Sequence, residues 1–590
     1  MSGFRRVAKL KDIVLSDHVS GKLKEELRAN TGRDDFFTVF LSVCNKKERA
    51  MVFHGSGNTL PVAWGNAEKR LNEFSKKQVS KKKPFSAAWV KADVVTQFEE
   101  VPTADLYKIV VEARWHFFAR VGISFDSNFS RAFLEAEVNG NKMLSYTYSQ
   151  SDINAGNIDY DSTLLDLKNI NYYLKTYYGG APIAEAPEKI ITFNARGFFC
   201  DENDSVYELY CDEMDYGRRR IGLVDDKVIN EAIVGASEFL VRQIDGDGRF
   251  IYGYFPIFGS QITGYNIVRH ASTLWSIINL YRISGDDSLI PMLDKAIGYI
   301  DGFIAYKDED TAYLVEKEVN EVKLGASGVA IIMYTEYMNV FKTDKFVEIV
   351  KKLANGILEL QDPEIGKYYH VLNFPDFSRK DEMRTVYYDG EATFALARAY
   401  SFTKEEKYLD GAKAAVEYFI REDYIKHRDH WVAYSLLEVT KHAGDVRYYE
   451  FALRNIDRNL KGVYERETSF HTYLEMLMTG WQTYQRALRE GVESEYISSY
   501  DPKRFAETIY YRARHMLNGY FYPEYAMYMK FPSSIAGSFH VRHHSYRVRI
   551  DDVQHFIGGY YFYCIYYDEI RALLSADFIR SLDKSEPLSP

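Results

Sequence analysis

Polar and ionisable residues crowd a small set of positions in this chain, each just ahead of an apolar run. YNIVRHAST brings Asn266, Arg269 and His270 to the start of one such run, and Lys323 precedes the next. MRTVYYDGEA carries Arg384, Tyr387, Tyr388, Asp389 and Glu391, and KHRDHW carries His427, Asp429, His430 and Trp431. ERETSFHTYLE supplies Glu467 and His471, and RHHSYRVRIDDVQHF supplies His543, His544, Asp551, Asp552 and His555. With His540 two residues ahead of the last stretch, eight of the 14 histidines fall in or beside these places. Any one acid there reads equally well as a helix cap or a first-turn charge. The coincidence of several points to one polar, aromatic-lined pocket.

Two kinds of chemistry suit that pocket. Paired carboxylates cleave a glycosidic bond, one protonating the leaving oxygen and the other activating water or attacking. Asp389 and Asp429 are the expected pair, with Glu391 and Asp551 in reserve. Histidine and tyrosine instead suit proton transfer at a C–H bond beside a carbonyl or carboxylate. His270, His430, His471 and Tyr388 are the expected acids and bases of that reading. Arg269 and Arg384 suit an anionic sugar, and Tyr387, Tyr388 and Trp431 offer ring faces for stacking. Lys323, His471 and Asp551 complete the expected binding set. No HExxH and no cysteine pair appears, so no metal and no cofactor are expected. No P-loop, dinucleotide fingerprint or G-x-S-x-G elbow appears either. Asp245-Gly246-Asp247-Gly248 reads as a turn, because the rest of a calcium loop is missing.

The elements that must position these residues repeat. Leu280–Ile304, Val340–Leu358 and Tyr400–Ile420 each join the end of an apolar helix, through a short polar turn, to an amphipathic helix. A weaker copy starts at Lys441. Twelve helices are expected, starting near Asp226, Ile267, Asp287, Gly325, Asp344, Asp389, Glu405, Asp429, Arg447, Thr468, Pro502 and Asp551. Alternate ones are amphipathic, as an outer layer requires. The others, such as GASGVAIIMYTEYM and FIGGYYFYCIYY, are apolar nearly all round and so must be buried. Six buried helices inside six amphipathic ones make a closed α/α toroid; the open alternative is a superhelical solenoid. The aromatic last helix favours closure.

Residues 206–575 are therefore expected to form the toroid, 1–205 a mixed α/β domain, and 576–590 a disordered tail, for an α+β chain. In the first part, Phe36–Val43, Ala50–Phe53, Phe85–Val95 and Leu106–Val111 read as strands, and 112–121 as a helix. KKQVSKKKP at Lys76–Pro84 reads as a solvated basic loop, with a phosphate or partner contact as the minor reading. Asn139–Gly140 reads as a turn.

The bulk numbers exclude some classes. Net charge is −10 over 590 residues, which disfavours nucleic acid as the main partner. No run is long and apolar enough to span a membrane, and no secretory leader is evident at the start. Four unpaired-looking cysteines suit a reduced, cytoplasmic protein.

The hairpin region, through its repeated units and the starts NIVRHAST, YYDGEATFALARAY and RDHWVAYSLLEV, resembles the six-hairpin glycosidase-like superfamily. That group holds toroidal glycoside hydrolases, unsaturated glucuronyl hydrolases, N-acylglucosamine 2-epimerases and the C-terminal domains of glucuronyl C5-epimerases. The resemblance implies a carbohydrate substrate. It leaves three expectations: a glycoside hydrolase first, a uronate or amino-sugar epimerase second, and a non-catalytic glycan-binding or assembly protein third. The first 205 residues are a candidate docking surface for a protein partner.

Overall fold

The computed structural model describes residues 2–588 except 84, 107, 109–118, 145–164, 212, 382–384 and 585. Strand β1 (Phe37–Cys44) pairs antiparallel with β2 (Met51–Gly57) and with the long β3 (Trp89–Pro102). β4 (Gly122–Ser124), β5 (Ala132–Phe133), β6 (Lys189–Cys200) and β7 (Val206–Glu208) extend the sheet in the order β2-β1-β3-β6-β4-β5, with β7 also on β6. All eight residues of β1 are buried, which explains its unbroken apolar run: both faces are covered. Val39, Leu41 and Val43 face one core together with α1 (Ser2–Val14), α2 (Asp17–Thr31) and α3 (Leu60–Ser80). Phe40 and Cys44 face the other way, into the core shared with the helices that follow.

The sequence reading expected a mixed α/β domain here but named none of these three helices. Val7, Leu10 and Val14 line one face of α1, and Ser16 caps α2, which stops at Gly32 in the left-handed region (φ 70°). Lys76–Ser80 form the last turn of α3, so the expected basic loop is helical in its first half. Asn139–Gly140 end a short helix, Glu135–Gly140, whose Asn139 side chain bonds the backbone of Ala119. Most of the expected strand at 106–111 and helix at 112–121 lies outside the described residues.

From Asp226 onward the chain builds twelve principal helices. Six form an inner layer: α5 (Ile267–Ser284), α7 (Leu324–Phe341), α9 (Thr385–Thr403), α11 (His430–Val439), α13 (Thr472–Glu490) and α15 (Ile550–Ile565). Each packs on the next, and α15 packs back on α5, so the ring is closed. The outer layer is α4 (Asp226–Arg242), α6 (Ile290–Asp301), α8 (Val347–Glu359), α10 (Glu406–Arg421), α12 (Val446–Tyr464) and α14 (Pro502–Met516). Each outer helix lies against one or two inner ones. The architecture is a six-hairpin toroid built from this chain's own helix contacts. Small hairpins such as Ala312–Glu316 with Glu321–Lys323 decorate it. Among the described residues no helix is long and apolar enough to cross a membrane.

The C-terminal segment is ordered where the sequence reading expected disorder. Ala576–Ser581 is helical with Ser575 as its cap, Asp583 accepts hydrogen bonds from Tyr210 and Arg514, and Leu588 is buried. Burying Leu588 and partnering Asp583 offset the entropy of fixing this short segment.

Candidate functional site

A cleft of about 350 Å³ opens where five of the six inner helices begin. Helix α5 contributes Arg269 and Ser272, and α9 contributes Tyr388 and Glu391, with Tyr387 beside them. His430 and Trp431 come from α11, His471 from the residue before α13, and Asp551 and His555 from α15. Apart from Ser272 and His555, the eight others are residues expected at the site, and the structure brings them to one cleft. Arg384 lies outside the described residues.

Four others sit elsewhere, each for a visible reason. His270 points outward: its Nδ1 meets Tyr265 Oη at 2.5 Å, its Nε2 lies 3.0 Å from the Ala296 carbonyl of α6, and it stacks on Tyr299. Burial pushes it down to about 3, so it is a neutral core histidine. Lys323 lies 3.8 Å from Glu316 and 3.7 Å from Glu321 and does not line the cleft. Asp389 is buried beneath it, paired with His370 Nε2 at 2.8 Å and accepting from Tyr424 Oη at 2.7 Å.

Asp429 is the N-cap of α11. Its Oδ1 accepts the Trp431 N–H (2.8 Å) and its Oδ2 accepts the Tyr387 N–H (2.6 Å). Burial raises it to about 7 against those two donors. It thus ties the start of α11 to the start of α9, where Tyr387 adopts a positive φ of 84°. A tyrosine rarely takes that conformation, which costs about 1–3 kcal/mol and persists only when its surroundings hold it. Asp429 is one such support.

The sequence reading missed the group at the centre. Glu475, in the first turn of α13, is fully buried. Its Oε2 lies 2.7 Å from His555 Nδ1, and its Oε1 accepts from Tyr434 Oη at 3.1 Å. His430 stands edge-to-face on His555 with ring centroids 4.9 Å apart, and its Nε2 is 3.7 Å from Glu475 Oε2. Neither nitrogen of His430 completes a hydrogen bond among the described residues. His471 stacks on the other side of His555 at 5.1 Å. The available signal for Glu475 was a lone carboxylate inside the apolar run TYLEMLMTGW, since a buried charge needs a partner.

Electrostatics split these imidazoles apart. Burial works against a proton on His555, yet Glu475, with Asp551 and Asp552 further off, raises it above the ordinary histidine value. Burial and the neighbouring His555 and His471 push His430 far down, so it stays neutral. Burial takes His471 down to about 3 despite Asp552 at 3.8 Å. Two adjacent acids on α15 also diverge. Burial and Asp552 raise Asp551, whose Oδ2 lies 2.9 Å from Arg269 Nε. Asp552 is equally buried but is held low by Arg549, His471 and Arg547. Such splitting marks functional sites more often than structural ones.

His430, Glu475 and His555 also bring three ligand atoms within 4.8 Å of one another, a geometry open to a divalent ion. The same three atoms suit proton transfer without one.

No protein-family model matches the sequence, and no curated protein matches it. Solved structures do. A sugar epimerase from a ruminal bacterium is 13% identical with a TM-score of 0.40, over 50% of this chain and 87% of that one. A D-mannose isomerase is 12% identical with a TM-score of 0.44, over 59% and 98%. A GH76 α-mannanase from Bacteroides thetaiotaomicron is 11% identical with a TM-score of 0.40, over 59% and 97%. Among the solved structures this chain resembles are thus a sugar epimerase, a sugar isomerase and a glycoside hydrolase.

Proposed function

We propose that this protein is a carbohydrate-active enzyme of the epimerase or isomerase kind, moving a proton at the carbon beside a sugar carbonyl. The observation that carries the reading is the His555–Glu475 pair with neutral His430 against it. Glu475 fixes His555 with Nδ1 towards the carboxylate, which leaves Nε2 as the nitrogen that exchanges protons. The pair raises His555 above the ordinary histidine value, which strengthens it as a base while leaving it able to return the proton. His430, unprotonated, donates a hydrogen bond to the carbonyl oxygen on which the enediolate charge develops. Electrons of the broken C–H bond enter the new C=C bond as the carbonyl π pair moves onto oxygen; in an isomerisation His555 returns its proton to the neighbouring carbon while the hydroxyl proton passes to the former carbonyl oxygen, and in an epimerisation a donor on the opposite face supplies the proton while His555 keeps the one it took. Arg269, Tyr388 and Trp431 hold the sugar.

The hydrolase reading rests on Asp551 and Glu391, the two carboxylates that line the cleft. Asp551 is raised, as a general acid needs. Asp389 and Asp429 are engaged elsewhere and carry neither reading. Incubating aldoses, ketoses and uronate or amino-sugar oligosaccharides in deuterated water, followed by NMR, separates the two. Deuterium at the carbon beside the carbonyl, lost in His555→Gln and His430→Gln, is the expected result. New reducing ends with no exchange, lost in Asp551→Asn, would move the assignment to hydrolysis. A bound glycan with no turnover would leave a binding protein.

A further inference from the structure

A second, larger cavity of about 1480 Å³ lies away from the cleft, at the sheet's edge between β2, α3 and the π-helical segment Leu174–Tyr178. Nine lysine and arginine side chains line it against only Glu48 and Glu73, in a chain whose net charge is −10. Helix α3 supplies Arg70 and Lys77, the residues after it Lys81 and Lys83, and the facing turns Lys47 and Lys175. These six are exposed, and among the described residues none has a carboxylate within 4.0 Å. Like charges gathered without counter-charges cost free energy and focus a positive potential into the concavity.

Two further features say what kind of anion fits. His54 of β2 lines the cavity at 4% exposure, beside the Ser130 and Phe129 backbone. Burial, with Arg70, pushes it down to about 4, so at neutral pH the ring is uncharged. An uncharged ring suits the neutral parts of a sugar better than a bare anion. Phe53, Phe74 and Phe85 form a contiguous ring wall, with centroids 5.3 and 5.6 Å apart, suited to the apolar face of a sugar ring.

We infer that this cavity binds an anionic oligosaccharide, its carboxylate or sulfate groups on the lysines and its hydroxyls and ring faces on His54 and the phenylalanines. The volume exceeds what a single sugar fills, since pockets for drug-sized molecules run about 300–1,000 Å³. The lysine run that begins at Lys76 is thus part of a binding wall.

Fluorescence polarisation of the full chain with labelled octagalacturonate tests this. Saturable binding that weakens with salt is expected, because each seated charge releases a counterion. Lys77→Glu/Lys81→Glu/Lys83→Glu changes only exposed side chains and is expected to weaken binding about tenfold or more, with exchange activity on a small neutral sugar unchanged. His54→Gln is expected to weaken it severalfold. His555→Gln is expected to bind as well as wild type, which separates this site from the cleft. Absence of binding at about 50 mM salt, an unaffected triple variant, or equal affinity for an octameric oligothymidine would each overturn the proposal.

Discussion

Burial alone would strip His555 of its proton, and Glu475 reverses that. Removing the carboxylate therefore has a signed consequence. In Glu475→Gln the burial penalty is opposed only by Asp551 and Asp552, and the His555 pKa falls. If unprotonated His555 is the base, wild-type exchange rises as pH climbs through its raised pKa. The acid limb of the variant then moves to lower pH. Its plateau rate drops about a hundredfold, as the base weakens and its ring loses orientation. The pH profile of deuterium exchange measures both. An unmoved limb would show that Glu475 is structural. At this scale the structure brings Arg269, His430 and Asp551 to one cleft because each lies at the start of an inner helix, an address that was legible in the sequence. His270 misled because it shares that address but lies on the flank of α5 facing α6. Local sequence gives a position along a helix; which flank faces the axis depends on the neighbours.

Inner helices must come close for their side chains to converge, and glycine permits it. A Cβ at Gly558 of α15 would stand 2.4 Å from Glu475 Oε1, and one at Gly325 of α7 would stand 2.0 Å from Glu391 Oε2. Gly558→Ala is thus expected to displace the Glu475 carboxylate or separate α13 from α15. The cost is about 1–3 kcal/mol, with a loss of exchange activity larger than the stability change explains. Urea unfolding and the exchange assay read the two effects separately; wild-type values in both would mean that the carboxylate has room to swing away. The ring helices were legible because a helix apolar all round contrasts with an amphipathic one. α1 and α2 carried legible spacing too, in Val7, Leu10, Val14 and the cap Ser16, but the reading of a mixed α/β domain named no element ahead of the strand at Phe36. The closure of α15 on α5 joins segments nearly 300 residues apart, and no local pattern encodes that pairing.

Across the whole molecule, several histidines are buried without charge. His270, His471 and His515 are each pushed down to about 3 by burial. The unfolded chain protonates them near pH 6.5, whereas the folded chain does not until about pH 3. Between those values the unfolded state binds more protons, so stability rises with pH and is lost as pH falls. Each such histidine contributes a slope of about 1.4 kcal/mol per pH unit within that window. His555 has the opposite sign: its folded-state pKa is raised, so its contribution is full below about pH 6.5 and fades as pH rises through the folded value. Buried carboxylates share the sign of His555: Glu135, Glu137 and Asp429, each pushed up to about 7 by burial, hold protons in the folded chain that the unfolded chain has released above about pH 4. They offset the three histidines, so the signed expectation belongs to the single imidazole and is read as a difference. His270→Gln, which keeps a hydrogen-bonding side chain in the outward pocket but cannot take a proton, should lower the slope of urea stability between pH 6 and 4 by about 1.4 kcal/mol per pH unit relative to wild type, even if it lowers the midpoint at pH 7. An unchanged slope would mean that this imidazole gains its proton without unfolding, and that the ring admits water to a group it encloses in this structure.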